Sequence, residues 1–279
     1  MIAELPPPYP PREAHAHGWL PEEQGHRVYW EQSGNPAGTP VVVVHGGPGS
    51  GSSPAHRRFF DPAGWRIVQL DQRGCGRSAP RGELRHNTAE RLMADMERLR
   101  AELGIARWLV VGGSWGASLA LAYAARHKTA CLGLILRGTF LTGRQDLEWF
   151  FGGAGALLPD AWQEFLDPVP RSRRHKPLDW YQAALNGTDR ALALAAVRHW
   201  MAWENALGRP GLAPIPAALP EPDLTDLLLD KYRLQAHYLQ RRCFLGETAL
   251  LDCAARIHGL PTLLLHGRLD LVCRPANAW

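Results

Sequence analysis

The sequence lacks several features that mark whole classes of protein. No apolar run reaches the roughly 18 residues needed to cross a bilayer, and the N-terminus lacks the basic start and apolar stretch of a signal peptide. The five cysteines are scattered without a C-x-x-C pair, so neither a zinc cluster nor a disulfide framework is indicated. These absences predict a cytoplasmic protein with reduced thiols, no membrane span and no bound metal.

The sequence also lacks a large excess of charge of either sign. The chain has 31 basic and 27 acidic residues, a net charge of +4, and its basic residues form only short clusters such as 171–176. Because a nucleic-acid-binding surface needs a concentrated basic patch, we expect no nucleic-acid partner. The 279 residues are 46% hydrophobic, which suffices for one large domain or one domain with an insertion. Nothing in the composition indicates an oligomeric state.

What the sequence does contain is an alternation of strand and helix signals. Runs rich in apolar and β-branched residues predict strands over 27–31, 41–44, 65–70, 109–111, 132–136 and 262–266. One predicted helix follows Asn87, which we interpret as its N-terminal cap, and a helix of small residues is predicted over 117–125. This alternation predicts a mostly parallel sheet with helices on both faces. Residues 1–25 are expected to form an extended arm.

The alternation of predicted strands and helices stops in the second half of the chain. From 140 to 255 helical, tryptophan-rich segments replace the strands, with a loop predicted over 210–222 from its prolines and glycine. The strand signal then returns once. We therefore divide the chain into the first part of an α/β core (1–139), an inserted helical cap (140–255) and a return to the core (256–279).

The segment from Gly112 to Gly116 fits the pattern G-x-S-x-G in a context that gives the pattern meaning. A predicted strand runs into it and a predicted helix leaves it. At such a turn the serine has a strained backbone, and its hydroxyl is exposed beside the free N–H groups of a helix N-terminus. The pattern therefore predicts Ser114 as the nucleophile of an α/β-hydrolase fold.

Three further segments follow predicted strands of the same sheet. Residues 45–49 read HGGPG, and in this fold the predicted oxyanion donors are the backbone N–H groups of Gly47 and Trp115. We interpret 71–78 as architectural, with an internal ion pair that supports the site, and do not expect Cys75 to be a nucleophile. Asp270 comes after the last strand, where the triad order Ser…Asp…His places the acid.

Together these motifs resemble those of the prolyl aminopeptidases, serine peptidases of the α/β-hydrolase fold. The matching segments are 45–49, 71–78, 112–116 and 266–270. The resemblance implies an enzyme that acts on peptides with a free N-terminal proline by an acyl-enzyme mechanism, without metal or cofactor. It also implies a helical cap whose glutamates bind the substrate's ammonium group.

Within the cap, the resemblance assigns substrate-binding residues. Segment 200–204 looks like the one that carries the first amine-binding glutamate, here Glu204. Gln235 stands where the family usually has a second glutamate, so we expect a weaker or broader preference for proline. Near the start of the cap, four aromatic residues either line an apolar proline pocket or belong to the core of the cap: Phe140, Trp149, Phe150 and Phe151.

The resemblance further implies a histidine base some tens of residues after the acid. No histidine follows His266 in these 279 residues, and we interpret His45 and His266 as loop-shaping residues. We therefore expect a truncated chain that lacks the triad histidine, the last strand and the last helix, with impaired catalysis. Its 262–266 strand would also be unpaired along one edge.

Two alternatives remain open. The first is an esterase, amidase or lactonase of the same fold, for which Glu204 would be dispensable. The second is a non-catalytic binding protein of this fold, in which Ser114 would resist labelling by a fluorophosphonate.

Overall fold

The structure, a computed structural model, describes residues 7–210 and 222–279. Most of the predicted loop at 210–222 therefore lies outside the described residues. Within them the strands form one sheet in the order β1-β2-β4-β3-β5-β6-β7. The strands are β1 (Ala16–Trp19), β2 (Tyr29–Gly34), β3 (Thr39–Val44), β4 (Trp65–Leu70), β5 (Trp108–Gly113), β6 (Cys131–Arg137) and β7 (Thr262–Leu265).

The sheet is mostly parallel, as the alternation of strands and helices predicted. Strands β4, β3, β5, β6 and β7 run parallel, while β1 and β2 add an antiparallel margin beside β4. Strand β1 corrects the expectation of an extended arm, since four residues inside 1–25 pair with β2. Their sequence, Ala-His-Gly-Trp, has no β-branched residue and gave no strand signal.

Eight α-helices lie within the described residues. They are α1 (Ala89–Glu102), α2 (Trp115–Arg126), α3 (Arg144–Phe150), α4 (Pro159–Leu166), α5 (Pro177–Asn186), α6 (Arg190–Gly208), α7 (Pro222–Gln240) and α8 (Glu247–Arg256). The cap of α1 is Thr88, whose hydroxyl accepts a hydrogen bond from Arg91 N–H, and not Asn87 as predicted. The Asn87 amide instead donates to the carbonyls of Arg73 and Glu83.

The two faces of the sheet are covered unequally. One face joins the main core, in which Val42, Val110 and Leu134 are fully buried beneath α1 and α2. The other carries a smaller cluster of Val41, Val43, Phe60 and Ile67. At β7 the sheet is open, and Leu263, Leu264 and Leu265 are about half exposed (50%, 48% and 46%). The two faces of the sheet therefore carry clusters of different size.

Helices α4 to α7 pack around aromatic side chains. Phe165 stacks on Tyr181 with ring centroids 4.5 Å apart, and Trp200 and Trp203 are fully buried beside them. This cluster accounts for part of the high tryptophan content. Helix α8 packs against α2, on the main-core side of the sheet.

Candidate active site

Ser114 lies between the end of β5 and the start of α2. Its backbone angles, φ 55° and ψ −125°, are strained for a residue with a side chain, and its N–H donates to the Arg137 carbonyl on β6 at 2.9 Å. The flanking glycines are required by close packing. A Cβ on Gly112 would lie 2.1 Å from the Gly116 carbonyl oxygen, and one on Gly116 would lie 2.2 Å from that of Val44. The backbone thus holds the serine at a sharp turn.

The loop after β3 lies directly against this turn. A Cβ on Gly46 would lie 3.0 Å from the Gly113 carbonyl oxygen, and Gly47 has a φ of 113° that favours glycine. Gly47 and Ser114 line the same two cavities. Trp115 is the first residue of α2, so its backbone N–H has no partner within the helix. The structure therefore brings both predicted oxyanion donors close to Ser114.

A buried network of charged residues around Asp71 is bonded to the segment that follows β3. Asp71 accepts hydrogen bonds from the Ser52 N–H at 2.7 Å and from the Arg77 Nε at 2.9 Å. Burial tends to raise the pKa of Asp71, but the hydrogen bonds from Arg77 and Ser52 lower it below the usual value. Segment 71–78 thus contains the internal ion pair predicted for it. Burial also raises the pKa of the Cys75 thiol far above its usual range, which argues against nucleophilic reactivity.

The predicted acid, Asp270, lies near the serine but is held by its own loop. Its carboxylate accepts hydrogen bonds from the N–H groups of Val272 at 3.0 Å and Cys273 at 2.9 Å. Asp270 and Ser114 both line a cavity of about 650 Å³. His266 donates through Nε2 to the Cys273 carbonyl at 2.9 Å, so its ring shapes this loop.

No histidine among the described residues is hydrogen-bonded to Ser114. The neighbour of the Ser114 Oγ is the Cys273 Sγ, at 3.6 Å. Burial raises the pKa of this thiol to about 12, so it is protonated at neutral pH and unsuited to act as a base. His56 shares a cavity of about 610 Å³ with Ser114, and its buried Nδ1 has no partner within the described residues. The sequence gave no reason to single out Cys273 or His56.

Glu204 and Gln235 meet at a smaller cavity, of about 50 Å³, that Ser114 also lines. The Glu204 carboxylate accepts hydrogen bonds from the Tyr232 hydroxyl at 2.8 Å and from the Gln235 Nε2, and it lies 3.7 Å from Lys231 Nζ. The Oε1 of Gln235 is buried without a partner among the described residues. Two hydrogen-bond acceptors, one charged and one neutral, therefore line the same cavity as Ser114.

Of the four aromatic residues considered for an apolar pocket, Phe140, Phe150 and Phe151 line this cavity. Trp149 instead donates from its indole nitrogen to the Leu271 carbonyl at 2.8 Å, which joins α3 to the loop of Asp270. The apolar lining also includes Leu147. Three of the four aromatic residues thus form an apolar wall of the cavity, and Trp149 lies outside it.

The described residues contain no group of three or more His, Cys, Asp or Glu side chains arranged to hold a metal ion. None of the described helices combines the length and apolarity required to span a bilayer. All five cysteines are free thiols.

Comparison with known proteins places this geometry in context. The profile of the α/β-hydrolase fold matches residues 39–279. A proline iminopeptidase of Arabidopsis thaliana is 44% identical over 276 residues, which cover 97% of this chain and 72% of that protein. One from Xylella fastidiosa is 44% identical over 273 residues, covering 97% of this chain and 87% of its own length.

Solved structures agree on the fold. The crystal structure of VinJ superposes with a TM-score of 0.63 at 24% identity, over 95% of this chain and 86% of that one. A hydrolase from Pseudomonas aeruginosa superposes with a TM-score of 0.61 at 18% identity, over 95% and 85%. These likenesses confirm the predicted architecture.

Proposed function

Because the chain belongs to the proline iminopeptidase family of the α/β-hydrolase fold, we propose that it releases N-terminal proline from peptides by acyl transfer through Ser114. One observation carries the proposal: the strained serine and the Glu204–Gln235 pair line the same cavity. A free N-terminus and the adjoining carbonyl of one residue can therefore be held together.

The amine pocket supports an N-terminal proline by its hydrogen-bonding capacity. A protonated prolyl nitrogen has two N–H donors, and the pocket offers the Glu204 carboxylate and the free Gln235 Oε1 as acceptors. The Tyr232 hydroxyl keeps its proton, since burial raises the pKa of Tyr232 well above its usual value, and it continues to donate to Glu204. The apolar wall that includes Phe140 would contact the pyrrolidine ring.

The chemistry at the carbonyl follows from the groups at the turn. Ser114 attacks the prolyl carbonyl, the N–H groups of Gly47 and Trp115 stabilise the oxyanion, and the peptide amine leaves. Water then releases proline from the acyl-enzyme. Asp270 is assigned to orient the base. We propose that residues 140–255 form the cap that covers the substrate's N-terminal side and so limits the enzyme to exopeptidase action.

Among the described residues, no hydrogen-bonded partner of Ser114 is suited to act as the base. Acyl transfer needs a group that accepts the Ser114 proton, and the neighbouring Cys273 thiol is protonated at neutral pH. We therefore propose that the 279-residue chain turns over slowly by itself. Added imidazole should act as the base, since Ser114 lines two large cavities of about 610 and 650 Å³ that can admit it.

The test is hydrolysis of proline 4-nitroanilide with and without imidazole. We expect imidazole to raise the rate at least about tenfold, given that general-base catalysis contributes 10²–10⁴-fold in enzymes. The N-acetylated substrate, which has no ammonium group, should not be cleaved, and neither should any substrate by Ser114→Ala. Equal cleavage of the acetylated substrate, or preference for 4-nitrophenyl acetate, would favour the esterase alternative. Failure of a fluorophosphonate to label Ser114 under the same conditions would favour the non-catalytic one.

A further inference from the structure

Gln72 belongs to the loop predicted to be architectural, but it connects the two segments that carry the oxyanion donors. Its Oε1 accepts a hydrogen bond from the Trp115 indole nitrogen at 2.9 Å. Its Nε2 donates to the His45 carbonyl at 2.8 Å, and its backbone N–H donates to the His45 Nε2 at 3.0 Å. One buried residue therefore bonds both sides of the site.

The bonds to His45 fix the loop that contains Gly47. Because His45 Nε2 accepts a hydrogen bond, the ring is neutral with its proton on Nδ1, which donates to the Gly46 carbonyl at 2.9 Å. Burial lowers the pKa of His45, which favours this neutral form. Gln72 thus holds both the ring and the carbonyl of His45, which lies two residues before the predicted donor Gly47.

The bond to Trp115 fixes the second donor. The indole is fully buried, where a free N–H would be costly, and Gln72 provides its acceptor. The ring also packs against Tyr238 of α7, with centroids 5.2 Å apart. Loss of the Gln72 amide would leave the Trp115 indole and the His45 carbonyl unpaired, and both would have to move to find new partners.

We propose that Gln72 is a positioning residue that sets the spacing between the Gly47 and Trp115 N–H groups. The inference rests on the proposed function, since it assigns these groups to the oxyanion. An oxyanion exists in the tetrahedral state and not in the bound substrate. Loss of Gln72 should therefore weaken tetrahedral adducts much more than it weakens ligands held only by their ammonium group.

The test compares two ligands that share the prolyl ammonium group. Pyrrolidine-2-boronic acid adds to Ser114: the hydroxyl oxygen bonds to boron, its proton passes to the buffer, and the boron becomes tetrahedral and anionic. Prolinol has no electrophilic centre and cannot form this adduct. Both affinities are measured by calorimetry on the 279-residue chain and its variants. For Gln72→Met we expect boronate affinity to fall about 10- to 100-fold and prolinol affinity to change less than about threefold.

Gln69→Met is the matched control. Gln69 lies on β4 and is equally buried, and its amide donates to the Ser53 carbonyl and accepts from Arg57, so its side-chain hydrogen bonds reach neither donor segment. It should lose stability without selective loss of boronate binding. A second variant, Gln72→Glu, keeps the acceptor for the Trp115 indole and removes the side-chain donor to the His45 carbonyl. It should show an intermediate loss of boronate affinity.

Three results would overturn the inference. The first is an equal loss of both ligands in Gln72→Met, and the second is an equal selective loss in Gln69→Met. The third is unchanged boronate affinity in both Gln72 variants. A wild-type chain that binds neither compound would refute the proposed function, and the inference with it.

Discussion

At the scale of single residues, Glu204 offers the clearest prediction. Glu204→Gln retains the shape of the side chain but removes the charge that we assign to the substrate ammonium, together with one of the two oxygens that accept hydrogen bonds from Tyr232 and Gln235. A hydrogen bond to a charged group is worth about 1.5–3 kcal/mol, so prolinol affinity should fall roughly 10- to 100-fold. The fall is measured by calorimetry, and as kcat/KM for proline 4-nitroanilide in imidazole.

The control is Glu164→Gln, an exposed glutamate on α4 of the same cap. It should leave both quantities unchanged. Unchanged activity in Glu204→Gln would refute the assignment of amine recognition to this residue.

The sequence predicted the residues whose role is tied to a local pattern. Ser114 and Gly47 lie in short motifs next to strands, and the structure brings them together. Gln72 lies in segment 71–78, but the motif does not reveal its role, because that role depends on the meeting of three loops that are distant in the chain. The sequence leaves Trp149 open between a proline pocket and the core of the cap, and the observed hydrogen bond ties its indole to the Leu271 carbonyl. An aromatic side chain near a pocket can serve either purpose, and only its orientation decides.

At the scale of elements, helix α3 holds the loop of the predicted acid. Asp146 on α3 is buried and accepts hydrogen bonds from Arg274 Nε at 2.9 Å and from the Asn277 amide. We expect Asp146→Asn, which removes the charge opposite Arg274, to speed amide exchange in 270–278 by roughly tenfold, as a loss of about 1.4 kcal/mol of local stability implies. Hydrogen–deuterium exchange with mass spectrometry measures this.

Glu148→Gln serves as the comparison on the same helix. Glu148 is exposed and pairs with Arg144, on the other side of α3 from Asp146. Its replacement should leave exchange in 270–278 unaltered. Similar exchange in Asp146→Asn and wild type would mean that α3 does not restrain the loop.

Most elements of the core were predictable because a buried parallel strand is a continuous apolar run. Strand β4 was predicted at its observed bounds, and β3, β5 and β6 to within three residues at each end. Helix α1 was capped one residue later than predicted, because Asn87 and Thr88 are both good caps and tertiary contacts decide between them. Asn87 is instead held by Arg73, Glu83 and Tyr238.

At the scale of the whole molecule, buried histidines make stability depend on pH. Burial lowers the pKa of His45 and of His237, so both rings stay neutral in the folded chain below the ordinary value of about 6.5. The unfolded chain takes up these protons, so folding stability is complete above pH 6.5 and falls as the pH drops below it. Each ring can contribute up to about 1.4 kcal/mol per pH unit.

We therefore expect the free energy of unfolding, measured by urea titration, to decrease from pH 7.5 to pH 5.5. His237→Gln should make this decrease smaller, whereas replacement of the exposed His175 should not. Should the stability be constant over this range, or the His237→Gln chain keep the full wild-type slope, the assigned origin would be wrong.

Lys231 places a positive charge beside the carboxylate of Glu204. Its ammonium lies 3.7 Å from Glu204 and over the ring of Tyr232, so the carboxylate has a counter-ion before any peptide arrives. In the proposed function, the ammonium group of a peptide exchanges with that of Lys231, which is tethered to the protein and cannot diffuse away. We therefore expect Lys231 to exclude N-termini whose ammonium group binds Glu204 only weakly.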